Sequence, residues 1–165
     1  MTSALNVVPE KSDVSTGVGD TEAMARGLEN MLADTYRLIF KTHAIHWNVE
    51  GPMFFSVHNL TEEQYSEMFE AADVIAERIR ALGELAPASL QSIVANSVVQ
   101  DKEDPQSAGE MCEDLAADHE RVAHRMHAVI KVAGGHGDPV TEDLAVARAT
   151  FHEKAAWMLR SISKS

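Results

Sequence analysis

Four times along the chain, apolar side chains return at spacings of three, four and seven residues, the mark of a helix that buries one face. From about Thr21 to Asn48 the stripe is Leu28, Met31, Leu32, Leu38, Ile39 and Ile45. Gly51-Pro52 interrupts the pattern, and a second helix from about Phe54 to Leu82 carries Met68, Ala72, Ile75, Ile79 and Leu82 on one face, with Gly83 as its stop. Between Glu84 and Glu103 the connection is long, and Ser89 is placed to cap a short helical piece within "LQSIVANSVV". Asp104-Pro105 reads as N-cap plus first-turn proline for a third helix with Met111, Leu115, Val122, Met126, Val129 and Ile130 inward, ended by "AGGHGDP". Asp138-Pro139 repeats that start signal for a fourth stripe of Leu144, Phe151, Ala155, Met158 and Ile162.

Four long amphipathic helices with one long crossover predict an all-α, ferritin-like four-helix bundle with a short helix in the crossover between the second and third helices. At 165 residues, 45% hydrophobic and with few prolines, the chain suits a single helical domain over residues 21–165, preceded by a flexible polar tail of residues 1–20. The net charge of −12, from 26 acidic against 14 basic residues, opposes binding to a polyanion and suits cation collection. The single cysteine, Cys112, excludes an intramolecular disulfide and reads as a small helical residue. No secretory signal and no apolar run of membrane length stand in the sequence, which predicts a cytoplasmic protein without a membrane partner.

The stretch "HAIHWNVEGPMFFSVHNLTEE", residues 43–63, gathers three histidines, a tryptophan and several glutamates. On the second helix, with His58 set at zero, Glu62 falls near ~40°, Asp73 near ~60° and Glu77 near ~100° at ~100° per residue. Met68, Ile75, Ile79 and Leu82 of that helix fall between roughly 240° and 300°, so the His58 stripe faces away from its own bundle. A polar stripe opposite an apolar face is ordinarily solvated surface. Phe69 interrupts this one, however, and His46 and His58 flank the same turn and can converge across it. Imidazole nitrogen with several carboxylates suits iron, manganese or zinc. Asp73 lies fifteen residues from His58, about 22 Å along a helix, so one chain cannot bring all of these groups to one ion. A second copy packed antiparallel across a two-fold axis can, and would give two identical sites per dimer.

That stretch, followed by "DVIAER" at residues 73–78, resembles the Dps proteins, mini-ferritins first named as DNA-binding proteins from starved cells. The resemblance spans about residues 21–163. It implies a hollow dodecamer with ferroxidase sites at its two-fold interfaces, which oxidises Fe(II) with hydrogen peroxide, less readily with oxygen, and stores the ferric mineral, protecting against oxidative damage. Carried over residue by residue, it implies that His46, His58 and Glu62 of one subunit meet Asp73 and Glu77 of its mate around iron, two ions per site. Trp47 matches a tryptophan beside the site, where it would shield the metal or quench radicals; as a residue it reads equally as packing. One departure stands out: position 62 is commonly aspartate in the family and is a methylene longer here.

Asp138, Glu142 and Asp143 resemble the acidic segment that lines the family's three-fold pores for iron entry. The same residues also read as an N-cap and first-turn acids. His43 reads as a solvated or interface histidine. His119, His124, His127, His136 and His152 show no comparable carboxylate register, and the methionines read as core. Lysine-poor ends predict weak or absent DNA binding at physiological salt. Two functions are therefore expected to compete: an iron-oxidising storage cage, and a nucleoid-associated DNA-protecting protein with secondary iron chemistry.

Overall fold

The computed structural model describes residues 4–104 and 106–164. After a 3-10 turn at Ala4–Asn6 come five α-helices: α1 Thr21–Asn48, α2 Phe54–Ala81, α3 Leu90–Asn96, α4 Ala108–Gly135 and α5 Pro139–Ile162. No strand occurs among the described residues.

Each long helix begins or ends on local chemistry. Asp20 caps α1 by accepting from the Ala23 amide at 2.9 Å, and Asp138 caps α5 by accepting from the Thr141 amide at 2.9 Å, with Pro139 in the first turn. Gly83 follows α2 at φ +91°, the left-handed position that terminates a helix, and a Cβ there would stand 2.2 Å from the Ser12 carbonyl oxygen. The start of α4 differs from expectation. It opens at Ala108 under a reciprocal capping box in which Ser107 and Glu110 bond each other's backbone N–H groups, whereas Asp104 lies in a bend and Pro105 is outside the described residues. The box satisfies two orphan amides at once, which a lone Asp-Pro start does not.

Ion pairs fix the directions of the helices. Asp34 meets Arg125 at 3.1 Å while Lys41 meets Asp114 at 2.6 Å, so α1 and α4 are antiparallel. Arg78 binds Asp138 at 2.7 Å while Arg148 grips Glu67 at 2.5 and 2.8 Å, so α2 and α5 are antiparallel too. With α1 and α2 forming a hairpin, α2 and α4 run parallel, and the crossover carrying α3 traverses the bundle's length.

Buried charges, rather than apolar contacts alone, hold that crossover. Asp34 accepts from the Val98 amide at 2.8 Å, Lys41 donates to the Gln100 carbonyl at 2.6 Å, and Asp118 accepts from the Gln100 amide at 3.1 Å while also binding Lys41 and Arg121. Beneath them one core runs through all four long helices, including Leu28, Met31, Met68, Ile75, Leu115, Met126 and Leu159, none of them measurably exposed. Each such side chain contributes about 1.5–3 kcal/mol on burial.

Candidate metal centre

His46 sits in the last turn of α1 and His58 in the second turn of α2, brought together by the tight connection at Gly51, whose φ of +87° a glycine alone adopts freely. The Nδ1 of His46 lies 2.9 Å from the His58 carbonyl oxygen, and the Nδ1 of His58 lies 3.0 Å from the His46 carbonyl oxygen. A carbonyl only accepts, so each Nδ1 carries the proton. In the neutral ring that leaves both Nε2 atoms with bare lone pairs, the form an imidazole needs to bind a metal.

The rings are also held by their surroundings. They stack at 3.7 Å with planes 19° apart; Phe54 stacks on His58 at 4.9 Å, and Tyr65 presents its edge to His46 at 5.3 Å. Thr61, fully buried, donates its hydroxyl toward the Val57 and His58 carbonyls at 2.7 and 3.0 Å, fixing the backbone that holds His46. His43 is half-buried, and its ring contacts Trp47 at 4.1 Å and Tyr65 at 4.3 Å.

Glu62 stands one turn beyond His58 and is exposed, as are Asp73 and Glu77 further along α2. A single chain thus brings His46 and His58 together and keeps Asp73 and Glu77 apart from them. Among the described residues no group of three histidines, cysteines, aspartates or glutamates converges on one point. The same face exposes Trp47 at 58%, Phe54 at 44%, Phe55 at 75% and Phe69 at 62%, an unusual concentration of large apolar side chains for a surface.

A ferritin-like domain model matches residues 25–164. The chain is 35% identical over 134 residues, 81% of this chain and 92% of the relative, to "DNA protection during starvation protein 2" of Bacillus anthracis. The chain belongs to the Dps branch of the ferritin-like family. The crystal structure of Dps from Staphylococcus aureus superposes with a TM-score of 0.85 at 31% identity, covering 89% of this chain and 99% of that one. Antigen TpF1 from Treponema pallidum superposes at 0.84 with 32% identity, covering 93% and 100%.

The acidic segment of this Dps protein divides by role. Asp138 is 1% exposed, caps α5 and binds Arg78, and these donors hold its carboxyl below the usual carboxylate range despite the opposing cost of burial. Glu142 packs its carboxylate against Gly134, and Asp143 is exposed. Sequence reading missed the supports Thr61 and Tyr65; both lie at i+3 or i+7 from His58, a helical register that could have pointed to them. It also missed the contact between His119 and His152, whose Nδ1 atoms are 2.9 Å apart deep in the bundle. No helix among the described residues is long and apolar enough to cross a membrane.

Proposed function

We propose that this Dps protein is a ferroxidase and iron store, with iron as substrate and cargo and with sites shared across two-fold interfaces of a dodecamer. The observation that carries the reading is the reciprocal lock of His46 and His58, which holds two imidazoles in the metal-binding tautomer at the edge of an exposed aromatic face. Two such nitrogens need carboxylates to complete a site for a hard divalent cation, and this chain keeps Asp73 about 22 Å and Glu77 about 28 Å from His58 along α2. An antiparallel second copy supplies them and covers Phe69 in the same step. Residues 21–165 form the assembling domain.

In this reading His46, His58 and Glu62 of one subunit, with Asp73 and Glu77 of the other, hold two Fe(II) ions, and Trp47 stands beside them. Hydrogen peroxide takes one electron from each ion and two protons from solvent, giving two Fe(III) and two waters. Peroxide reduced this way releases no hydroxyl radical. Glu142 and Asp143, in symmetric copies, draw Fe(II) inward, with Asp138 holding the helix that presents them. Storage of the product in the cytoplasm then limits oxidative damage.

DNA protection, named in the Bacillus anthracis relative, is the second reading. The charge of −12 opposes it, and Lys11, a cation of the N-terminal segment, is paired with Glu84 at 2.8 Å. Binding to DNA is therefore weak at physiological salt, and any nucleoid association is secondary.

The deciding experiment loads Fe(II) anaerobically, adds peroxide and follows ferric absorbance in wild type and in His46→Ala/His58→Ala. Loss of rapid oxidation in the double variant is expected; unchanged oxidation refutes the site. A gel-shift titration across salt separates the DNA reading.

A further inference from the structure

At the centre of the bundle, within two helical turns of His46 and His58 along α1 and α2, each of the four long helices contributes a buried polar group that lacks a partner among the described residues. Thr42 Oγ1 on α1, Gln64 Nε2 and Oε1 on α2, His119 Nε2 on α4 and Arg148 Nε on α5 have no hydrogen-bond partner among the described residues. Their residues are 0%, 4%, 0% and 5% exposed. Buried polar atoms in folded proteins are nearly always bonded to protein or to ordered water.

These groups share one level of the bundle. Arg78 meets Asp138 and Glu67 meets Arg148 across the antiparallel α2–α5 pair, so Gln64, three residues before Glu67, lies opposite His152, four residues after Arg148. His152 touches His119 through the Nδ1 contact of 2.9 Å. Thr42 follows Lys41, whose ammonium binds Asp118, the residue before His119. Gln64 is also the floor of a groove of about 300 Å³ between α2 and α5, rimmed by Glu63, Glu67 and Lys154.

The chemistry of the set chooses its ligand. Burial and the nearby Arg148 and Lys41 charges hold His119 down to about 3, and burial, His119 and Arg148 hold His152 well below its usual range, so both rings are neutral. One Nδ1 donates to the other, and the remaining atoms offer a mixture of donors and acceptors. The neighbouring carboxylates are engaged: Glu67 by Arg148, Asp114 by Lys41, and Asp118 by Lys41 and Arg121. A divalent cation would find no free anion here, and with both Nδ1 atoms bound to it the His119 Nε2–H would be left without an acceptor. An anion would meet cations that are already paired. Water both donates and accepts at no cost in charge.

We propose that the bundle centre is a hydrated polar site, in which ordered water bridges Gln64, His119, Thr42 and Arg148 and exchanges with solvent through the α2–α5 groove. The site is independent of iron oxidation and of assembly. Crystals of the full-length protein, unsoaked and soaked in cobalt(II) alone, test it through electron density and anomalous maps. Expected is water within about 2.7–3.2 Å of the Gln64 amide and of His119 Nε2, with no cobalt beside His119 and His152. Gln64→Leu, close in volume, should lose the water at that position and melt below the wild-type temperature, because Thr42, His119 and Arg148 lose the bridge that satisfies them. A cobalt peak between the two histidines, or a dry core in which the Gln64 amide bonds directly to protein, overturns the proposal. So does a Gln64→Leu melting temperature equal to or above that of wild type.

Discussion

His46 and His58 are locked to each other, each ring's Nδ1 within 3.0 Å of the other residue's backbone carbonyl oxygen. The backbone of each helix therefore sets the tautomer of the other helix's ligand. Thr61 supports the same carbonyl. Thr61→Val should keep the fold and weaken cobalt(II) or Fe(II) binding about 10- to 100-fold, the usual effect of losing an outer hydrogen bond to a ligand. Isothermal titration of wild type and variant measures it; equal affinities would show that Thr61 serves packing alone.

Because His46 and His58 are far from Asp73 and Glu77 on one chain, a mixing experiment separates a shared site from a local one. His46→Ala/His58→Ala and Asp73→Ala should each fail to oxidise Fe(II) quickly. After dissociation and reassembly together, hybrid interfaces should regain part of the rate, since one of their two sites pairs intact halves. No recovery in verified hybrids counts against sharing.

Phe69 is 62% exposed on the chain's own surface, so its substitution has little reason to disturb the bundle. Phe69→Lys should retain wild-type helicity by circular dichroism yet shift light scattering toward small species, as a charge placed in a covered apolar interface is costly to desolvate. A full-size assembly from this variant would mean that the face is not an interface.

Asp138 and Asp143 are expected to separate stability from iron entry. Asp138→Ala removes a cap and the Arg78 partner, and should cost about 1–2 kcal/mol in denaturant unfolding. Asp143→Asn should leave stability within about 0.5 kcal/mol, as surface changes do, and slow Fe(II) uptake several-fold in stopped-flow absorbance.

His119 titrates near 3 in the fold against 6.5 when free, because burial and the Arg148 and Lys41 charges oppose its protonation; His152 is shifted the same way. Between those values the unfolded chain binds protons that the folded chain does not, so stability is full above about 6.5 and falls as pH drops toward 3. Melting temperature should decline already from pH 6.5 to 5, above the range of ordinary carboxylates. The decline should flatten in His119→Phe/His152→Leu, provided that variant remains folded at pH 7.

Most of the architecture was legible in the chain. The apolar stripes gave α1, α2 and α5 nearly to the residue because periodicity and caps agree there: Asp20 before α1, Gly83 after α2, Asp138-Pro139 before α5. At α4 two start signals compete within a few residues, and the choice of Ser107 over Asp104 depended on the reciprocal bonds with Glu110, which a one-sided reading of the proline overlooked. The outward direction of His58, Glu62, Asp73 and Glu77 was also legible, since a helix wheel needs only the spacing of residues along one element.

The set of helices, their inward and outward faces, and the impossibility of assembling His58 and Asp73 on one rod can thus be read from the order of residues. Those follow from 3.6 residues per turn and a fixed rise, properties local to each helix. Which distant residues meet depends on how the helices pack. That packing alone placed the reciprocal lock of His46 and His58, the charges that hold the crossover, and the neutral pair of His119 and His152 with its unpartnered neighbours. Those contacts join residues 12 to 77 positions apart, and they form because packing four helices together removes polar groups from water and obliges them to find partners in one another.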